Sequence, residues 1–193
     1  MNSLGRTMTT NAREAILSAA RNIAQAHGYG GMNYRELAAA AGIKAASIYH
    51  HFTSKADLAA AVARRYWEDT ASALDAQLEE LGPLAALRQY PENFRHALEN
   101  GNRLCLCSFL SAEFDDLPDA ARTEVQAFAD INVAWLSKVL VASKVVGPKD
   151  AEPRARAIFA AIAGAQLMAR SRADLALYDT LVASYRTAGL LPG

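Results

Sequence analysis

The sequence predicts an all-α fold of nine or ten helices, on three observations. Apolar residues recur at helical spacing along most of the chain, and strand-like alternation is almost absent. The run VLVASKVV at 139–146 is rich in β-branched residues, but it continues a helical pattern that begins at Ala121. Prolines stand where helices are predicted to start, a position that does not need an amide hydrogen: Pro83, Pro91, Pro118 and Pro153.

Length and composition set the class of protein. The 193 residues allow one large domain or two small ones, and 52% hydrophobic residues can form a core. No stretch has about eighteen consecutive apolar residues, and the N-terminus lacks an apolar signal region. Two cysteines do not make a disulfide framework. We therefore expect a cytoplasmic protein without a membrane partner.

The charge is unevenly distributed, although the net charge is zero. Residues 1–65 contain eight basic and three acidic side chains, a net charge of +5, which leaves −5 for the rest. A basic N-terminal part on an acidic body is typical of a protein that meets DNA with one end.

The first helix should run from about Ala12 to His27, with Asn11 and Glu14 as a capping box. Residues 1–10 are polar and predicted to be a loose arm, from which Arg6 could reach DNA. Gly28-Tyr29-Gly30-Gly31 ends the helix; it lacks the lysine and the strand of a phosphate-binding loop. The buried stripe of the helix should be Ile16, Ala19, Ala20 and Ile23.

The stretch 33–55 predicts two short helices joined by a tight turn. Asn33 and Glu36 form a capping box, and Gly42 stands where the chain must turn sharply. A second helix from about Ala45 to His51 should bury Ile48 together with Phe52. Its other side is small or polar, which suits a helix laid in a DNA groove: Ala46, Ser47, Tyr49, His50 and His51.

A long helix should follow from Lys55 to about Leu81, capped by Ser54 and Asp57 and stopped by Gly82-Pro83. Lys55 in its first turn is placed to hold a phosphate. Its apolar side should comprise Trp67, Leu74, Leu78 and Leu81. Further helices are predicted near 83–90, 92–100, 103–115, 118–145, 153–171 and 174–189.

The order of residues from Ala12 to Val62 resembles the N-terminal domain of the TetR/AcrR family of transcriptional regulators. The matching features are Ile16-Leu17, Ala19-Ala20, Gly28, Leu37-Ala38, Ala41-Gly42-Ile43, the run from Ser47 to Phe52, Ser54-Lys55 and Leu58. The resemblance implies a DNA-binding domain at 1–54 and an effector-binding and dimerisation domain at 55–193. It also implies a homodimeric regulator, most often a repressor, on a palindromic operator. Neither an enzyme activity nor a cofactor or metal is expected.

The resemblance also assigns roles to individual residues. Tyr34 and Arg35 should contact the DNA backbone and a base edge. Ala45 and Ala46 should touch thymine methyl groups or allow close approach. Phosphates should be held by Lys44, Ser47, Tyr49, His50 and Lys55. The helices at 118–145 and 153–171 should pair with those of a second subunit, although their small residues suit packing within one chain equally well: Ala157, Ala160, Ala161, Ala163, Gly164 and Ala165.

Cys105 and Cys107 lie two residues apart, about 200° around a helix, and are badly placed to bridge each other. They can be small buried hydrophobic residues. A metal site needs more ligands than His96, and a catalytic pair lacks a third group. The stretch Cys105-Leu106, Leu110 to Glu113 and Asp116-Leu117 also resembles electrophile-sensing repressors of the NemR type, which implies a responsive thiol at Cys105.

Apolar residues of the C-terminal part can form either plain core or an effector pocket between helices: Phe94, Leu98, Phe109, Phe114, Phe128, Trp135 and Tyr178. The resemblance favours the pocket. Three functions therefore stay open. They are a regulator released by a small molecule or by modification of Cys105, a ligand-gated regulator with inert cysteines, and a thiol enzyme on a helical scaffold.

Overall fold

The computed structural model describes residues 3–193, with side chains from Ala12 onward. This part of the chain forms ten α-helices and one short 3-10 helix and contains no strand, so the all-α prediction is confirmed. The helices are α1 (Ser3–His27), α2 (Tyr34–Ala41), α3 (Ala45–His51), α4 (Lys55–Leu81), α5 (Pro83–Gln89), α6 (Glu92–Glu99), α7 (Leu106–Ala112), α8 (Asp119–Ala142), α9 (Pro148–Arg172) and α10 (Leu175–Thr187). The 3-10 helix is Phe114–Asp116.

Two helices begin earlier than predicted. α1 starts at Ser3, so Asn11 lies inside the helix and does not cap it. The contact expected of Arg6 concerns a side chain outside the described residues. α9 starts at Pro148, after an extended Gly147 (φ −75°, ψ 163°), and Pro153 lies inside it. The prediction chose the wrong proline, because Pro148 at the first helical position already supplies the preferred start.

The chain divides into two compact units. The head unit comprises Met1–Tyr66 and Leu106–Gln126, and the body unit comprises Trp67–Cys105 and Ala127–Gly193. The backbone passes from one to the other inside α4, at the start of α7 and inside α8. The functional boundary after residue 54 stays a prediction, since the compact units divide the chain at other places.

The core of the head unit is aliphatic. Ile16, Leu37, Ile48 and Leu58 are fully buried, one from each of α1 to α4. The segment 106–126 completes this core with a second set of buried side chains: Leu106, Leu110, Leu117, Ala121 and Val125. The three N-terminal helices are therefore covered by residues that lie far away in sequence.

The core of the body unit is aromatic and partly polar. Tyr90 and Tyr178 are buried together with Phe94, Phe128 and Trp135. The side chains of Asn132 and Gln166 are buried among them, and both are hydrogen-bonded. Buried side-chain amides are stable only when they are hydrogen-bonded, so directional hydrogen bonds as well as apolar contacts fix the arrangement of this core.

By length and composition alone, α8 is the one described helix that could cross a membrane. Core helices of globular proteins pass the same test, and buried residues such as Val125, Phe128 and Leu136 show that α8 contributes to folded cores. The observation is therefore weak evidence of a membrane span.

Candidate nucleic-acid interface and effector site

Helix α3 has two faces that differ in burial, as its sequence predicts. Ile48 and the following Phe52 are buried in the head unit. Ala45, Ala46 and His50 are exposed, and Ser47 and His51 are partly exposed. Small residues on an exposed face let a helix backbone approach a surface closely. The geometry of α3 therefore suits insertion into a DNA groove.

The turn before α3 is held by the residues that the sequence indicated. The Asn33 side chain accepts a hydrogen bond from the Glu36 amide at 2.9 Å, which caps α2. Gly42 ends α2 in the left-handed conformation (φ 67°, ψ 30°), and its amide bonds back into the helix. Lys44, the residue before α3, is exposed and extended. The predicted helix-turn-helix is confirmed by this geometry.

Tyr34 and Tyr49 form a pair between α2 and α3, with ring centroids 4.8 Å apart in an edge-to-face arrangement. Tyr49 is 60% exposed, whereas the Tyr34 hydroxyl is buried and has no hydrogen-bond partner among the described residues. Burial is the main cause that raises the pKa of Tyr34, and the neighbouring Tyr49 adds to it. A DNA contact by the Tyr34 hydroxyl therefore requires a rearrangement of this pair, while Tyr49 and the exposed Arg35 are already accessible.

Lys55 opens α4 and is held by the loop between α1 and α2. Its ammonium lies 4.3 Å from the centroid of the Tyr29 ring and donates to the Gly30 carbonyl at 3.3 Å. The Asp57 amide donates to the Ser54 hydroxyl at 3.0 Å, and the Thr53 amide donates to the Asp57 carboxylate at 3.1 Å. The predicted cap of α4 is thus confirmed. The Lys55 ammonium is thus held against the α1–α2 loop at the start of α4.

The residues proposed for an effector pocket do not all fall in one unit. Cys107 and Phe109 belong to the head unit, and Phe114 lies there too, exposed at the surface. The other six belong to the body unit: Phe94, Leu98, Cys105, Phe128, Trp135 and Tyr178. We call these six residues the body set; the effector pocket itself stays a prediction.

Together with Tyr90 and Phe159, three rings of the body set form a continuous series. Tyr90 stacks on Trp135 at 5.8 Å and lies 5.6 Å from Phe94. Phe159 lies 6.2 Å from Phe94 and 6.1 Å from Phe128. The Trp135 indole nitrogen is buried and has no hydrogen-bond partner among the described residues. The aromatic core thus contains one buried donor that has no acceptor among the described residues.

Hydrogen bonds cross the same core. Gln166 accepts from the Cys105 amide at 3.0 Å and donates to the Phe94 carbonyl at 2.6 Å. The Tyr90 hydroxyl donates to Asn132 at 2.9 Å. The Tyr178 hydroxyl donates to the Pro91 carbonyl at 2.7 Å. Burial raises the pKa values of both tyrosines, and for Tyr90 the nearby Cys105 adds to the effect.

Both cysteines are free and buried, with 2% exposure for Cys105 and 1% for Cys107. Cys105 precedes α7, and Cys107 lies in its first turn. A reagent in solution therefore does not reach either thiol in this conformation. Their burial agrees with the interpretation of both as small buried hydrophobic residues.

Sequence reasoning missed Tyr90, Asn132, Phe159 and Gln166. Tyr90 and Phe159 are aromatic residues at helical spacing, so composition could have included them. The roles of Asn132 and Gln166 depend on partners 42 and 72 residues away, which no local pattern indicates.

Comparison with known proteins agrees with this geometry. Residues 16–62 match the model of the bacterial regulatory proteins of the tetR family. The HTH-type transcriptional repressor DhaR of Mycobacterium sp. (strain GP1) is 26% identical over 140 residues, which cover 72% of this chain and 70% of DhaR.

Solved structures have the same fold. A TetR-family transcriptional regulator from Agrobacterium tumefaciens is 26% identical with a TM-score of 0.84, over 93% of this chain and 98% of that one. The reduced form of E. coli NemR superposes with a TM-score of 0.79 at 24% identity, over 91% and 96% of the two chains. With the exposed face of α3, the tetR-family match over residues 16–62 and the likeness to the repressor DhaR show a DNA-binding transcriptional regulator with a TetR-type N-terminal domain.

Proposed function

We propose that the chain is a homodimeric repressor that binds a palindromic operator and is released by a small apolar effector. The observation that carries the DNA-binding role is the division of α3 into a buried face and an exposed face of small and polar residues. Each subunit places α3 in one major groove, and a two-fold dimer reads half-sites about 34 Å apart or slightly more. Repression, rather than activation, is proposed because the relative DhaR is an HTH-type transcriptional repressor.

The roles within the interface follow from charge and exposure. Lys44 and Lys55 supply positive charge to phosphates from the two ends of α3. Arg35, Tyr49 and His50 are exposed side chains with polar groups, and they become the candidates for base edges because α3 begins with two alanines. Ser47 and His51, which are only partly exposed, contribute to backbone contacts.

The dimer is proposed to form on an apolar stripe of α9 in the body unit. Five small or apolar residues are exposed at spacings that place them on one helix face: Ala157, Ala160, Gly164, Leu167 and Met168. Leu167 is the most exposed large side chain of this stripe, at 56%, whereas Ala155 and Ala165 are buried in the body core. The small residues that sequence left ambiguous thus divide between internal packing and a surface that a second copy would cover. Replacing Leu167 by Asp should convert the dimer to a monomer in light scattering and abolish operator binding.

The effector is proposed to be an uncharged aromatic compound with a hydrogen-bond acceptor. The body core offers aromatic faces and the unpartnered Trp135 donor, and the polar groups mapped around them are amides and hydroxyls. A charged ligand would lose its hydration there without an ionic partner. An effector relieves repression only by the free energy with which it distinguishes the bound and released conformations.

Release by modification of Cys105, as in electrophile-sensing regulators, is the second candidate. Burial of this thiol favours the ligand-gated function with inert cysteines, because a sensing thiol needs access to its oxidant. Modification would first require the residues that bury Cys105 to move and expose its thiol. A thiol enzyme has less support, since the covered thiol would not meet a substrate.

One experiment separates these functions. Binding of the DNA upstream of the protein's own gene is measured with and without hypochlorite or methylglyoxal, in wild type, Cys105→Ser and the matched control Cys107→Ser. We expect binding in all three and no cysteine-dependent release. Release that Cys105→Ser alone abolishes would instead establish the thiol switch. Absence of binding to this fragment and to any other DNA would contradict the proposed function.

A further inference from the structure

A carboxylate from the segment 106–126 reaches the loop that follows α1. Glu113 stands between α7 and the 3-10 helix, and its side chain accepts a hydrogen bond from the Tyr29 amide at 2.6 Å. The two residues are 84 positions apart and belong to the same compact unit. A carboxylate near the C-terminus of a helix is disfavoured by the negative end of the helix dipole. The hydrogen bond from the Tyr29 amide therefore stabilises the Glu113 carboxylate at this position.

The space for this carboxylate exists because residue 28 is a glycine. Gly28 has a left-handed backbone (φ +67°), and a Cβ added there would lie 2.1 Å from the nearer carboxylate oxygen of Glu113. A side chain at position 28 would therefore displace Glu113. Two separate features, the left-handed backbone and the space that the Glu113 carboxylate occupies, favour glycine at this site.

The backbone that carries Glu113 is itself held in place. Arg122 of α8 donates to the carbonyls of Phe114 at 3.0 Å and Asp115 at 2.9 Å, directly after Glu113. Its guanidinium also lies 5.1 Å from the centre of the Phe114 ring. The Glu113 carboxylate is thus presented by a fixed turn.

The loop that Glu113 holds is the one that holds Lys55. The Tyr29 amide donates to the Glu113 carboxylate, and the Tyr29 ring faces the Lys55 ammonium. The Gly30 carbonyl accepts a hydrogen bond from the same ammonium. We propose that Glu113 is a positioning residue for DNA binding, which fixes the α1–α2 loop and through it the orientation of Lys55. The inference rests on the proposed phosphate contact of Lys55. It assigns to the segment 106–126 a direct influence on DNA affinity.

The test compares Glu113→Ala, Glu113→Gln and the control Asp116→Ala, which removes an exposed carboxylate from the same turn. Affinity for a random-sequence duplex is measured at low salt, because a phosphate contact acts on every sequence. We expect about tenfold weaker binding for Glu113→Ala, from loss of the held loop. Glu113→Gln should bind nearly as wild type, since its amide oxygen can still accept from Tyr29. Asp116→Ala should be unchanged.

A double-mutant cycle with Lys55→Ala distinguishes positioning from a general effect on folding. In the Lys55→Ala background, Glu113→Ala should cause little further loss of affinity. Additive losses would overturn the inference. Exchange of the Tyr29 amide with deuterium should accelerate in Glu113→Ala and not in Glu113→Gln, which reports the hydrogen bond even if the alanine variant is less stable.

The two proposals fail in different ways. If wild type binds DNA and Glu113→Ala binds equally well, the positioning role is wrong and the regulator function stands. If wild type binds no duplex under these conditions, the proposed function is wrong, and the inference that depends on it falls too.

Discussion

The cores of the head unit and the body unit differ in composition and in the interactions that hold them together. The head core consists mainly of alanines and branched aliphatic residues from α1 to α4 and from 106–126, to which the connecting segments add Met32 and Phe52. The body core contains buried tyrosines, a tryptophan and two amides joined by hydrogen bonds. Hydrophobic burial is non-directional, whereas a buried amide is stable only with its partners in place.

This difference corresponds to what each unit has to do. The head unit presents an exposed face of α3 in a constant geometry, for which close packing of small side chains is sufficient. In the proposed function, a bound effector would change the hydrogen bonds of the body unit, where the Trp135 donor has no acceptor among the described residues. The comparison predicts that the two cores respond differently to truncation, to loss of an acceptor and to pH.

The largest effect is expected from truncation in the head core. Leu110→Ala removes a fully buried side chain of α7 and should destabilise the protein by about 2–5 kcal/mol, through lost burial and the cavity left behind. Because α7 belongs to the head unit, DNA affinity should fall as well. Urea unfolding and duplex binding measure the two effects. Leu81→Ala, at an exposed leucine, is the control; equal losses in both variants would refute the assignment of 106–126 to the head core.

An intermediate effect is expected from the amide network of the body. Gln166→Leu keeps the approximate volume but removes the acceptor of the Cys105 amide and the side-chain donor to the Phe94 carbonyl, which should cost about 1–3 kcal/mol. Both tryptophans belong to the body unit, so their fluorescence follows its unfolding. The matched control is Gln89→Leu on the exposed face of α5. A variant as stable as wild type would show that this core is held by apolar contacts alone.

The smallest effect is expected in alkaline solution. Burial raises the pKa of Tyr90 above its ordinary value of 10.0, so this residue contributes stability that is fully present below about pH 10. Above that pH the unfolded tyrosine loses its proton while the folded one keeps it, and stability falls. At about pH 11 the loss should be about 1 kcal/mol for this residue.

Thermal melts between about pH 9 and pH 11 measure this loss, within the range set by the ordinary tyrosine pKa. Tyr90→Phe should weaken the pH dependence, whereas Tyr49→Phe, at an exposed tyrosine of the head unit, should leave it unchanged. Identical slopes in wild type and Tyr90→Phe would contradict the raised pKa.

Local signals made most of the helix boundaries predictable. Asn33, Gly42, Ser54 and Asp57 act on backbone groups within a few residues, so their effect can be inferred without knowledge of the fold. The start of α9 was misplaced because two prolines, Pro148 and Pro153, compete as start signals and only one stands at the first helical position. Likewise, Asn11 looked like a cap because its type permits one, but the helix had already begun.

The sequence by itself determined the all-α class, the helix-turn-helix and the basic character of residues 1–65, since each depends on periodicity, caps or charge along the chain. Only the tertiary structure decided that 106–126 belongs with the head, that both cysteines are covered, and that Glu113 holds the loop beside Lys55. These facts join residues separated by tens of positions, and such contacts depend on which helices pack together. Helix packing responds to the shape of whole faces, which the pattern within any one helix does not specify.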